Sequence, residues 1–327
     1  MAFLLRESHL REMLAMRDLV PLMERALATL SLGGAVQPVR SVVPVRTHEG
    51  FLGVMPAYLG GQDALGLKAV AFYPGNAARG LHTHMATILL LDAATGALRA
   101  VMDGRLITEM RTAAVSAAAT RHLSRAERPV LAFLGAGVQA RSHLEALLEV
   151  CRPEAVQVWS RTGTTAERFA GEMGERFDLA VAVTAEPEDA VRGAAVICTV
   201  TSSQTPVLRG AWLQKGTHIN AVGASRPDWR ELDTEAVVRS RLFVDSKAAA
   251  VVEAGDVVMP IKEGAIGESH IQAEIGEVFA GTRPGRTDPG EITLFKSLGQ
   301  AVEDVATAQF AYQRAVERHL GEALSLD

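Results

Sequence analysis

Cysteine is nearly absent: Cys151 and Cys198 are the only two among 327 residues. They lie far apart without a metal-type spacing, which argues against a disulfide scaffold, and no metal site is expected. Both read as small buried hydrophobes of a reducing compartment. Long basic blocks are also missing and the formal net charge is −5, which argues against a nucleic-acid partner. No uninterrupted apolar run approaches the ~18 residues of a membrane helix. Arg6, Glu7, Arg11 and Glu12 break up the apolar N-terminus, so a soluble cytoplasmic protein with no membrane partner is expected. No internal repeat or low-complexity tract occurs. What is present is 48% hydrophobic and 22% charged, enough for a large core. The chain is too long for one comfortable domain, and two are expected.

From Asp18, read as an N-cap, apolar residues recur at Leu19, Leu22, Met23, Ala26, Leu27 and Leu30. Pro21 falls in the expected first turn and Gly33-Gly34 stops the helix. Short β-type runs follow around Arg40–Arg46, Gly50–Pro56 and Leu65–Phe72, then Thr87–Asp92 and Leu98–Asp103 as a hairpin. The first ~105 residues form a mixed α+β unit, with the Ala-rich helix Thr108–His122 leaving it. Beyond Pro129 apolar runs alternate with helical patterns. The strand candidates are Val130–Leu134, Ala155–Trp159, Leu179–Val183, Ala195–Thr199, Thr217–Ala221 and Leu242–Asp245. This is the pattern of a Rossmann-type, doubly wound α/β sheet. A final amphipathic helix, Ala301–His319, is expected to return to the first domain. The expected division is 1–117 with 301–327, and 118–300.

The turn Gly135-Ala136-Gly137-Val138-Gln139-Ala140 fits G-x-G-x-x-G/A. The first glycine permits the tight turn, the second admits the pyrophosphate, and Ala140 allows close helix–sheet packing. Alone the pattern also fits an ordinary strand–helix turn. Here an apolar strand precedes it and a helix with further β/α units follows, so a dinucleotide site is expected. After the second strand, a carboxylate for the ribose 2′-hydroxyl is absent and Ser160-Arg161-Thr162 stands there. Arg161 offers a guanidinium to a 2′-phosphate, which favours NADPH while leaving NADH possible. The alternative is that Arg161 is a solvated loop residue.

Several segments together resemble the ornithine cyclodeaminase/mu-crystallin family. They are Gln37-Pro38-Val39-Arg40, Gly53-Val54-Met55-Pro56-Ala57, Met102-Asp103-Gly104, Met110-Arg111-Thr112-Ala113-Ala114, the Gly135 turn and Phe295-Lys296-Ser297-Leu298-Gly299. The run His218–Asp233 is similar to the mu-crystallin branch, whose members are NADPH-dependent ketimine reductases. The resemblance implies a homodimer whose first domain carries the dimer interface and part of the substrate site. It also implies a small imino or 2-oxo acid substrate. Two absences matter: cyclodeaminases carry Asp where this chain has Ser225 and Glu where it has Gly53. Without those carboxylates ornithine cyclisation loses its acid–base groups, while hydride transfer to an imine does not.

The resemblance makes Arg40, Lys68 and Arg111 anchors for a substrate carboxylate, with Met55 beside them. Read alone, Arg111 beside Glu109 is equally a surface ion-pair member. Lys68, amid Leu65, Leu67, Val70 and Phe72, is seldom buried without a partner. His84 is a candidate proton shuttle, or a structural histidine. Ser225 and Arg226 are candidate contacts to substrate or cofactor, or a turn closed by Pro227 and Asp228. By the same resemblance Thr112, Thr199, Val200, Thr201, Val222, Ser297 and Leu298 line the cofactor. The expected reaction is reduction of pyrroline-2-carboxylate or piperideine-2-carboxylate to L-proline or L-pipecolate. The alternatives are reductive amination of a 2-oxo acid, as in alanine and N-alkyl-amino-acid dehydrogenases, ornithine cyclodeamination, and a non-catalytic mu-crystallin-like binding protein.

Overall fold

The computed structural model describes residues 2–325; Met1, Leu326 and Asp327, which the expected first domain includes, lie outside the described residues. Two compact units emerge, Met1–Arg111 with Gln300–Asp327, and Thr112–Gly299. The division cuts a single helix, Gly104–Leu123, at Arg111/Thr112 rather than at the expected 117/118. That helix is uniformly Ala-rich, so no change of composition marks the point.

The first unit is built on β1 (Ala2–Leu5), α1 (Glu7–Met13), α2 (Met16–Ser31), β2 (Ala35–Val36), β3 (Ser41–Val45), β4 (Gly50–Leu59), β5 (Ala64–Phe72), β6 (His84–Asp92), β7 (Leu98–Asp103) and the start of α3 (Gly104–Leu123). A C-terminal helix, Ala301–Arg318, and a strand, Glu322–Leu324, complete it. β4 to β7 form an antiparallel meander, and β1 joins it in parallel to β7. Pro56 is tolerated inside β4 because β3 pairs only with Gly50–Val54 and β2 only with Tyr58–Leu59, leaving that edge open at Pro56.

α2 starts earlier than its sequence suggests. Ala15 is its N-cap, and Asp18 instead ion-pairs with Arg314 of the C-terminal helix at 3.3 Å. Pro21 therefore lies inside the helix, past its first turn. Burial of Met16, Leu19, Val20 and Met23 on one stripe sets the start, overriding the cap signal.

The second unit is a sheet of eight parallel strands: β8 (Val130–Leu134), β9 (Ala155–Trp159), β10 (Val181–Val183), β11 (Val196–Thr199), β12 (His218–Ala221), β13 (Ser240–Val244), β14 (Ile271–Glu274) and β15 (Ile292–Lys296). Their order is β10-β9-β8-β11-β12-β15-β13-β14. The order reverses between β8 and β11, so a crevice opens at their carboxyl ends. α4 (Val138–Leu147) follows β8, and α5 (Gly163–Phe177) follows β9. All six strand candidates beyond Pro129 are present within two residues of their expected bounds, whereas β14 and β15 were not expected. No helix among the described residues is long and apolar enough to cross a membrane.

Candidate functional site

In the first unit, side chains on one face of a strand alternate, and partners across neighbouring strands share that face. Met55, Lys68, Ile88 and Met102 form one such row. The C-terminal helix lies over the adjoining row, where a Cβ on Gly66 would come 3.3 Å from Val305. This places Asp304, on the same helical turn, against the Lys68 ammonium. Nζ sits 2.6 Å from Asp304 Oδ2 and 3.3 Å from Thr108 Oγ1, and both charged side chains are buried.

Arg111 is also buried, contrary to the surface alternative, and Glu109 faces Arg105 instead. Its Nε donates to Asp304 Oδ1 at 3.0 Å and its Nη1 to Glu303 Oε2 at 2.5 Å. Glu303 reaches back with Oε1 to the Gln300 backbone N–H at 3.0 Å, closing a capping box. Gln37 adds a second tie, donating to Gln300 Oε1 at 2.5 Å and accepting from Val302 N at 3.0 Å. The Gln37-to-Arg40 segment is thereby fastened to the start of the C-terminal helix.

Burial pulls the Lys68 pKa down to about 8; Asp304 opposes this, and Arg111 and Arg40 reinforce it. For Arg111, burial works against the charge, but Asp304 and Glu303 outweigh it and raise its pKa. Lys68 and Arg111 thus face two buried carboxylates, Glu303 and Asp304, and the Arg40 charge acts on Lys68 as well.

Beyond Lys68 the same sheet face continues through Gly53, Val70 and Ala86, then Phe51, Phe72 and His84. The first of these rows is small and the second is aromatic, with Phe72 4.6 Å from the His84 ring. His84 reaches solvent at the sheet's end, yet enclosure by protein and then the Lys68 charge lower its pKa. No group of His, Cys, Asp and Glu among the described residues could hold a metal ion.

In the second unit the Gly135 turn has the shape a pyrophosphate requires. Gly135 has φ +109°, and a Cβ there would lie 2.8 Å from the Val200 carbonyl oxygen and 3.1 Å from Thr201 Cγ2. Gly137 caps α4, and its Cβ position meets open space, so the first N–H groups of α4 border a free cradle. Ala136 and Ala140 are buried, and Val138 is exposed. These residues fit a dinucleotide. Ser160 is half-buried after β9, while Arg161 and Thr162 are exposed; among the described residues Arg161 forms no ion pair.

Thr199 and Thr201 turn their hydroxyls toward a buried carboxylate that sequence reading missed. Glu231 accepts from Thr199 Oγ1 at 2.8 Å, Thr201 N and Oγ1 at 2.6 Å each, and Gly223 N at 2.7 Å. Burial raises the Glu231 pKa, with Lys296 pulling the other way. Asp256, also buried, accepts from Glu231 N and Leu232 N and faces Lys296 Nζ at 3.0 Å. Asp245 Oδ2 holds the N–H groups of Leu298 and Gly299 at 2.6 and 2.7 Å, fixing the segment after Ser297. Val222 donates its N–H to Thr199 O, and Thr112 is buried in α3. Ser225 is exposed, and Arg226 is held by Asp228 at 3.1 Å and lies over the Trp229 ring, in keeping with the turn alternative.

The profile of the Ornithine cyclodeaminase/mu-crystallin family matches residues 2–319. The ketimine reductase mu-crystallin of Rattus norvegicus is 49% identical over 298 residues, 90% of this chain and 91% of that protein. A solved structure of Thermococcus litoralis Delta(1)-pyrroline-2-carboxylate reductase in complex with NADH and L-proline superposes with TM-score 0.96 at 41% identity, covering 98% of this chain and all of that one (100%). An archaeal alanine dehydrogenase dimer with bound NAD superposes with TM-score 0.95 at 33% identity, covering 100% and 99%.

Proposed function

The chain belongs to the ornithine cyclodeaminase/mu-crystallin family, and from that premise we propose that it reduces cyclic 2-imino carboxylates with NADPH. The observation that carries this reading is the buried charge set around Lys68. Its two cations, Arg111 and Lys68, are already oriented by Glu303 and Asp304, in keeping with a carboxylate ligand. Pyrroline-2-carboxylate and piperideine-2-carboxylate carry that carboxylate next to the carbon to be reduced. The small row Gly53, Val70 and Ala86 offers the ring an apolar bed without a competing carboxylate.

A reduced nicotinamide, when bound, supplies the hydride. The chain's own part is to anchor the carboxylate, orient the ring and keep water away. A protonated imine already carries the proton that the amine product keeps, so no strong acid is required. His84 lies along the same face, and burial and the Lys68 charge lower its pKa toward the neutral ring, which supports a role in relaying a proton to the imine nitrogen. Arg161 supports NADPH over NADH, since a free guanidinium after β9 suits a 2′-phosphate.

The protein acts as a homodimer in this reading, through the outer face of the first unit's sheet. There Val43, Leu52, Ala71 and Met85 form an apolar row, with Val43 56% and Met85 52% exposed. The similarity to an alanine dehydrogenase keeps a second reading in play, reductive amination of a 2-oxo acid on the same cations.

One experiment tests the reaction: NADPH oxidation with each cyclic imine, with pyruvate plus ammonia or methylamine, and ammonia release from L-ornithine. Turnover with a five- or six-membered imine is expected to dominate. Failure with both rings sinks the proposal, and activity only with 2-oxo acid and amine installs the second reading.

A further inference from the structure

We infer that Glu231 is a positioning residue for the nicotinamide half of the dinucleotide site, fixing the loops that leave β11 and β12 against the Gly135 turn. Both of its oxygens are saturated: Oε1 takes the Thr201 N–H and hydroxyl, and Oε2 takes the Thr199 hydroxyl and the Gly223 N–H. Four donors and no acceptor surround it, which only a carboxylate can serve. An amide would turn an NH2 group toward two of those donors and leave them buried without partners.

The packing leaves no slack around this carboxylate. A Cβ on Gly223 would fall 2.0 Å from the Thr201 carbonyl oxygen and 2.6 Å from Glu231 Oε1. Thr201 in turn abuts Gly135. Behind Glu231, Asp256 holds its backbone N–H and faces Lys296 at the end of β15. The carboxyl ends of β11, β12 and β15, three neighbours in the sheet, are therefore tied through two buried carboxylates. The adenosine half belongs on the other side of β8, where Ser160-Arg161-Thr162 follows β9, so these loops border the nicotinamide half.

The inference rests on the dinucleotide reading and not on the identity of the imine. Calorimetry compares the parent and Glu231→Gln for binding of NADPH and of 2′-phospho-ADP-ribose, which lacks the nicotinamide, with melting curves alongside. A parent that binds neither ligand overturns the dinucleotide reading itself. Given a binding parent, Glu231→Gln is expected to weaken NADPH about 10- to 100-fold while the fragment stays within about 2-fold. Its kcat should fall with little change in the imine KM. Equal weakening of both ligands, or none, overturns the inference. Should Glu231→Gln fail to fold, Thr201→Val decides, since it deletes one of the four bonds and keeps the N–H. A selective NADPH loss of about 3- to 10-fold is expected, and parental affinity for both ligands overturns the inference.

Discussion

Lys68 Nζ and Asp304 Oδ2 lie 2.6 Å apart in the first unit, a buried ion pair between a central strand and the first turn of the C-terminal helix. Asp304 keeps a desolvated ammonium charged; without it, burial and the neighbouring Arg111 and Arg40 would push the proton off. The proposed anchor should therefore have an alkaline pH limit.

With the Lys68 pKa at about 8 and Lys68 as the proposed carboxylate anchor, kcat/KM for the imine should fall above that pH as the ammonium is lost. Asp304→Asn removes the group that raises this pKa, so its alkaline limb should move to lower pH. Lys68→Arg stays charged throughout and should abolish the limb. A limb unchanged in Lys68→Arg would assign it to the substrate instead.

Arg111→Ala takes a cation away from two buried carboxylates, leaving Lys68 to face Asp304 and removing the Arg111 charge from Glu303 Oε2. Stability should drop by about 3–5 kcal/mol, read as a lower denaturant midpoint. At a temperature where the variant is folded, kcat/KM for the imine should fall by about 100-fold while NADPH affinity is retained. Normal imine reduction by folded Arg111→Ala would remove Arg111 from the anchor.

What the sequence discloses depends on how local the physics is. The Gly135 turn is legible because its strand, its backbone strain and its helix start occupy one short run. Lys68 is conspicuous as a charge among apolar neighbours, but its partner is not. Glu303 and Asp304 look like ordinary first-turn acids that complement a helix dipole, and Arg111 meets Asp304 only across 193 positions. β15 is hidden for a related reason: it ends in Lys296, which reads as exposed until Asp256 is placed beside it. Glu231 gives no signal at all, since all the side chains and amides it binds come from other strand ends.

Arg161 gives a direct test of cofactor choice. If Arg161 binds the 2′-phosphate as proposed, Arg161→Ala should lower the kcat/KM ratio of NADPH to NADH by about 10-fold or more, the loss of one charge-assisted contact. NADH kinetics should be nearly unaffected. An unchanged ratio would make Arg161 a solvated loop residue.

Two buried histidines govern acid stability in the second unit. His143, between Ser116 Oγ and the Gln139 carbonyl, is held at about 4 by burial. His218, between Thr293 and Asn220, is held at about 3, again first by burial. Both pKa values are depressed, so the unfolded chain binds more protons below about pH 6.5 and stability falls as pH drops from there toward 3 to 4. At pH 5 the loss should be about 2 kcal/mol for each, and His143→Gln should remove roughly half of it in denaturant titrations. A flat profile between pH 7 and 5 would mean that neither ring is kept neutral.

The apolar row Val43–Leu52–Ala71–Met85 makes the dimer reading testable without touching the charge set. In an isologous dimer every substitution appears twice, so a single charge introduced there is doubled at the interface. Burying a large aliphatic side chain is worth about 1.5–3 kcal/mol, and a buried unpaired carboxylate costs more than that gain. Met85→Glu should therefore raise the dimer dissociation constant by about 100-fold or more and yield monomers at micromolar concentration in light scattering. Val316→Glu, on the C-terminal helix at 44% exposure, adds the same charge elsewhere and should leave the assembly intact. If Met85→Glu stays dimeric while Val316→Glu dissociates, the interface lies on the helical side of the unit and the sheet face is not the contact.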